Sequence, residues 1–150
     1  MNKTTRISKI LGTVLFFTGA LNLVTAYGLT AVTFSNIRVP EAPPVASVMV
    51  AYMHIKNNTN KEKTISQISS PQFKRVEVHK MSMANGMMNM KQLKALTIKA
   101  QQTIILESGG IHVMLIKPLK PLKHNDKVTL TFKFASGAST IINTFVKRTD

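Results

Sequence analysis

Beyond residue 30, no window of this chain sustains the i, i+3, i+4, i+7 apolar spacing of an amphipathic helix for more than a few residues. Short β-branched runs recur instead, each closed by turn-forming residues. The pattern predicts strands at Val32–Val39, Ser47–Lys56, Lys63–Ile68, Lys74–Met81, Met87–Lys91, Leu96–Lys99, Thr103–Leu106, Ile111–Ile116, Val128–Phe134 and Thr140–Val146. Between them lie Pro40 to Pro44, Asn57 to Asn60, Ser69 to Pro71, Asn85-Gly86, Ser108 to Gly110, Asn125-Asp126 and Ser136-Gly137. Many short strands at close spacing point to an all-β fold, a β-sandwich or Greek-key barrel. The chain shows no internal repeat, no low-complexity tract and no break between domains, so residues 27–150 read as one domain with a core of its own.

Residues 1–26 differ in character. Lys3, Arg6 and Lys9 precede an apolar run from Ile10 to Ala26, with no acidic residue among them, which is the order of a secretory signal peptide. Small residues in Val24-Thr25-Ala26 place the expected cleavage after Ala26. The alternative is an uncleaved membrane anchor, although the run is shorter than the roughly 20 residues that span a bilayer, and Asn22 and Thr25 interrupt it. Cleavage removes three of the 14 net positive charges.

Export into an oxidising compartment makes one absence informative. The chain has no Cys, which excludes disulfides, thiolate zinc sites, iron–sulfur clusters, thiol nucleophiles and the blue-copper centre. A soft-metal site must therefore draw on Met, of which there are nine. Five of them (Met81, Met83, Met87, Met88, Met90) fall within ten positions, where an even spread would place fewer than one.

Strand alternation puts these Met residues together with His. In Lys74–Met81, Val76 and Val78 point one way while Arg75, Glu77, His79 and Met81 point the other. In Ile111–Ile116, the aliphatic face of Ile111, Val113 and Leu115 is the one to bury, leaving His112 and Met114 on the opposite side. Asn85-Gly86 favours a two-residue type I′ hairpin. That turn sets Met83 opposite Met88 and Met81 opposite Met90, with His79 diagonal to Met90 on the same face. Imidazole and thioether together select Cu(I). Packing, or a Met-rich surface for a protein partner, are the other readings of the same cluster.

The spacing resembles the periplasmic copper chaperones known as the PCuAC family, whose pattern is His, ten residues, Met, twenty-one residues, His-x-Met. Here His79 is followed by ten residues and Met90, and then by twenty-one residues and His112-Val113-Met114. Pro43-Pro44, Ala51-Tyr52, Val76-Glu77-Val78-His79-Lys80-Met81, Gly109-Gly110-Ile111 and Pro121-Leu122-Lys123 extend the likeness from about Ala42 to Val146. The resemblance implies a cupredoxin-like Greek-key sandwich that binds one Cu(I) through His79, Met90, His112 and Met114. It also implies a periplasmic location. The expected partners are the copper-centre subunit of cytochrome c oxidase and a Sco-type thioredoxin-fold copper protein. Copper storage or resistance would use the same site, and the sequence does not separate it from delivery.

Neutral ligands suit a carrier. Two His and two Met hold Cu(I) without the tighter grip and disulfide chemistry of thiolates. Histidine ligates only when unprotonated, so affinity is expected to fall with falling pH. Met81, Met83 and Met88 are candidates to shield the metal or to stand in as ligands. His54 reads as a strand-edge polar residue and His124 as a solvated one.

Lys117, Lys120, Lys123 and Lys127 read as a solvated loop guarding a sheet edge, or alternatively as a patch that steers an acidic partner or the inner-membrane surface. Six acids, no phosphate loop and no defensible Ser-His-Asp spacing give no support to an enzyme. Few aromatic side chains and export argue against nucleic acid as a partner.

Overall fold

The computed structural model describes residues 30–84 and 86–148; the expected export segment, residues 1–26, lies outside them. Among the described residues the fold is all-β, with ten strands and no α-helix. The strands are β1 Val32–Pro40, β2 Val48–Asn57, β3 Lys63–Ser69, β4 Phe73–Ala84, β5 Met87–Leu93, β6 Leu96–Ile98, β7 Thr103–Leu106, β8 Ile111–Pro118, β9 Lys127–Phe134 and β10 Ser139–Lys147. Every run expected from alternation and turn chemistry forms a strand. The largest difference is at the end of β4, which continues to Ala84 and so carries the hairpin further out than the pattern indicated.

The strands follow one hydrogen-bonded order, β5-β4-β8-β7-β2-β1-β10-β9-β3-β6. Its middle joint is slight: β1 and β10 pair in parallel through only Val39↔Val146 and Pro40↔Lys147. The chain folds there, so that the two halves, antiparallel apart from the parallel β7–β8 pair, share one core as a cupredoxin-like sandwich. Met49, Ala51, Met53, Ile55, Val78, Val113 and Leu115 line it from one half, and Ile65, Leu96, Ile98, Val128, Leu130 and Phe132 from the other. Phe34 and Phe132 meet across it with ring centroids 4.5 Å apart.

Asn57 closes the end of β2. Fully buried, its amide donates to the carbonyls of Lys61, Ile98 and Lys99, while its oxygen accepts from the Thr59 backbone and hydroxyl. A buried amide is stable only when satisfied in this way, and the bonds tie the β2–β3 turn to the end of β6.

The β4–β5 hairpin positions the region of interest. Gly86 has φ of +73°, a conformation glycine adopts at no steric cost. Its partner in the expected turn, Asn85, lies outside the described residues. The ladder runs Met83↔Met88, Met81↔Met90 and His79↔Gln92, the register that a two-residue turn at 85–86 requires. On the other side of β4, β8 pairs as far as Lys80↔Ile111. Beyond that point the hairpin overhangs the sheet.

Candidate metal centre

β4 is the middle strand of three that carry the residues singled out by their spacing. On β8, His112 lies directly opposite His79, and Met114 lies opposite Glu77. On β5, Met90 is one diagonal step from His79, across from Met81. Directly paired residues share a face, so Glu77, His79, Met81, Met90, His112 and Met114 all project from one side of the sheet. Val78 and Val113 project from the other, into the core. The two imidazoles stack loosely, with centroids 6.2 Å apart and planes 27° from parallel.

Each ring is oriented by an acceptor that leaves one nitrogen free. A carboxylate only accepts, so His79 Nε2 donates to Glu77 Oε2 at 2.9 Å. In the neutral ring, Nδ1 then carries the lone pair; the atom is buried and without a hydrogen-bond partner. A buried orphan of this kind is uncommon in folded proteins. His112 Nδ1 donates to the Gly110 carbonyl at 3.3 Å, which leaves its Nε2 as the lone pair. The same carbonyl accepts the backbone N–H of Met81 at 3.0 Å and so fixes the rim of β8 against β4.

His112 is only 6% exposed, which departs from the expectation that its face simply turns away from the core. β8 is an interior strand, with β4 on one flank and β7 and β2 on the other. Alternation correctly distinguishes the two faces, but it carries no information on how deep the second one lies.

His79, His112 and Met114 are gathered at adjacent rungs. Met90 is set apart, 53% exposed on the outer strand. In a flat ladder about 17 Å would separate the Cα atoms of Met90 and Met114, so both thioethers reach one metal only if the hairpin curls over His79. Met83, Met87 and Met88 are exposed at its tip. Among the described residues no three His, Cys, Asp or Glu side chains converge as a metal site, so any metal held here depends on the thioethers.

Glu77 was not singled out by sequence reasoning. The available signal was its i, i+2 relation to His79 on one strand face, which puts two side chains within reach of each other. Arg75 Nε lies 3.6 Å from Glu77 Oε1, with the arginine side chain largely exposed to solvent and the glutamate largely covered.

The other expected residues lie elsewhere. His54 sits within β2, paired with Ser35 and Ile105 rather than at a strand edge, and its Nδ1 is 3.2 Å from Asn36 Nδ2. His124 Nδ1 accepts the Arg148 N–H at 3.2 Å. Lys117, Lys120, Lys123 and Lys127 are all exposed. Lys117 is near the end of β8 remote from His112, five residues along the strand and about 17 Å away.

A family model described as "LpqE-like: Putative lipoprotein LpqE-like" matches residues 32–146. The chain belongs to this family, which is the PCuAC family. Among solved structures it is similar to CuI-DR1885 from Deinococcus radiodurans, at 27% identity and a TM-score of 0.65, covering 83% of each chain. The apo form of the same protein matches at 26% identity and a TM-score of 0.62, covering 99% of this chain and 97% of that one. The copper-bound PCuAC domain from PmoF2 shares the fold at 15% identity and a TM-score of 0.67, over 82% of this chain and 97% of that domain. A curated relative, "Putative lipoprotein Lxx21020" of Leifsonia xyli subsp. xyli (strain CTCB07), is 25% identical over 103 residues, 68% of this chain. The match spans 62% of that relative's length.

Proposed function

We propose that this chain is an extracytoplasmic copper chaperone that binds one Cu(I) through His79, His112, Met114 and Met90 and passes it on by ligand exchange. The observation that carries the reading is the pair of adjacent imidazoles, each held by an acceptor that leaves a lone pair unused, with the Nδ1 of His79 buried and unpartnered. Soft thioethers flank them, no Cys is present, and these donors select Cu(I) over zinc. Copper in the PmoF2 domain and in CuI-DR1885, which share this fold, supports the assignment.

The role of each residue follows from its position. Glu77 and Gly110 orient the two imidazoles, as carboxylates and backbone carbonyls do for metal-bound histidines generally. Met114, half-buried on the central sheet, is a standing ligand. Met90, on the overhanging strand, closes the site and opens it. All four ligands are neutral, so the bound ion keeps its positive charge and moves readily to an anionic thiolate acceptor. No covalent bond is made or broken in a substrate, and the activity is transfer rather than catalysis.

The export pattern of residues 1–26 and the lipoprotein names of the family and of a curated relative support a location outside the cytoplasm, in the periplasm. The proposed acceptors are the copper-centre subunit of cytochrome c oxidase and a Sco-type thioredoxin-fold copper protein. Anaerobic loading with Cu(I) tests the site. The wild type is expected to retain copper, and the His112→Ala, Met114→Ala double variant to lose it. A wild type that takes no copper refutes the proposal, and equal retention by both moves the site elsewhere.

A further inference from the structure

The proposed His79–His112 site uses at most two of the Met residues on the β4–β5 hairpin. The rest are not packing the core: Met83 is 72% exposed, Met88 67% and Met87 66%. Methionine in a protein ordinarily fills interior gaps, and an apolar side chain on an open hairpin promotes aggregation. Their arrangement is specific. Met83 and Met88 are directly paired, Met81 and Met90 form the next rung on the same face, and His79 with His112 forms the rung after that. Successive rungs on one face are about 7 Å apart. Four thioethers thus lead in a line from the tip of the overhang to the two imidazoles, while Met87, paired with Ala84, lies on the other face.

We propose that Met83 and Met88, joined by Met81, form a second Cu(I) site made only of thioethers, at which copper enters or leaves the protein. Cross-strand neighbours have Cβ atoms about 5 Å apart, and Met has three rotatable bonds with which to bring its sulfur to a shared ion. Thioether sulfur selects Cu(I) among the available metals. The tip projects beyond the last β4–β8 pair, Lys80↔Ile111, and its methionine side chains are exposed to an incoming donor or acceptor. Being more exposed and lacking imidazole, this site binds more weakly than the His79–His112 site. The ion can therefore pass down the ladder through Met81 and Met90 by stepwise exchange of neutral ligands, with no electron transferred and no proton required.

The experiment is an anaerobic titration of the full chain with Cu(I), supplied as its acetonitrile complex, followed by the methyl NMR signals of labelled Met and by X-ray absorption at copper. The wild type is expected to bind two equivalents, the weaker one shifting the methyls of Met83 and Met88. A His79→Ala, His112→Ala variant is expected to keep one equivalent with sulfur as its only protein ligand. In Met83→Leu, Met88→Leu, substituted at exposed positions by a residue of similar volume, the weaker equivalent is expected to lose at least tenfold in affinity while the tighter one stays. The proposal is overturned if the tip methyls do not respond to copper, or if the leucine variant binds both equivalents as the wild type does. The two sites fail separately, since removal of the imidazoles tests one and removal of the tip thioethers tests the other.

Discussion

Replacing Glu77 probes the link between sheet register and metal affinity. Its carboxylate accepts from His79 Nε2 at 2.9 Å, and the two side chains are only 19% and 15% exposed, so water does not readily substitute for the bond. With Glu77 removed, the imidazole can rotate and exchange tautomers, and the fraction of molecules presenting the Nδ1 lone pair falls. Partners of metal-bound histidines are typically worth 10- to 100-fold in affinity, about 1.4–2.7 kcal/mol. Glu77→Ala is expected near the upper end. Glu77→Gln retains an oxygen acceptor but loses the charge that makes such a bond roughly twice as strong as a neutral one, so a loss of about tenfold is expected. Arg75→Ala is expected to change affinity less than twofold, because its contact with Glu77 is 3.6 Å long, Arg75 is 65% exposed, and such pairs are worth little. The assay is anaerobic competition with a Cu(I)-selective chelator, alongside metal-free thermal melts to establish that each variant is folded. A folded Glu77→Ala protein within twofold of wild type would refute the orienting role.

Two further outcomes separate the faces and ends of the sheet. Leu115→Ala truncates a fully buried side chain on the core face of β8 and is expected to cost about 2–5 kcal/mol in denaturant unfolding, with copper affinity within twofold of wild type. Changing Lys117, Lys120, Lys123 and Lys127 together to Glu is expected to leave copper affinity unchanged in chelator competition. Lys117 lies about 10 Å from the nearest proposed ligand, Met114, along β8, already beyond the Debye length of about 8 Å at physiological ionic strength. A tenfold change in either affinity would show that the separation is not as drawn.

Most strands of this fold are legible locally because they are short β-branched runs separated by turn-forming residues, and the hairpin register is legible because Asn85-Gly86 admits few turns. Both are properties of adjacent residues. The neighbour of His79 on β8 is not such a property: His112 lies 33 positions away, and the family spacing implies that the two cooperate without indicating that they share a rung. The depth of His112 was hidden for a related reason, since it depends on the strands flanking β8. Glu77 could be placed on the correct face by alternation, but its hydrogen bond depends on a side-chain conformation that no spacing records.

The pairing of His79 with His112 also shows how tightly the site and the core constrain each other. β4 and β8 each direct one residue parity into the core, Val78 against Val113, and the other to the opposite face, His79 against His112. Because the side-chain period is two, a slip of one residue in either strand would turn valine outward and drive an imidazole into the core. Burial of Val78, Val113 and Leu115 therefore holds the register that places the two imidazoles side by side. Beyond the Met81 N–H bond to Gly110, the described residues of the hairpin pair only with each other, and the tip methionines Met83, Met87 and Met88 are exposed rather than held by the core. In the proposed carrier, the imidazoles on the packed part of the sheet would retain the ion, and the thioethers on the overhang would move toward it or away.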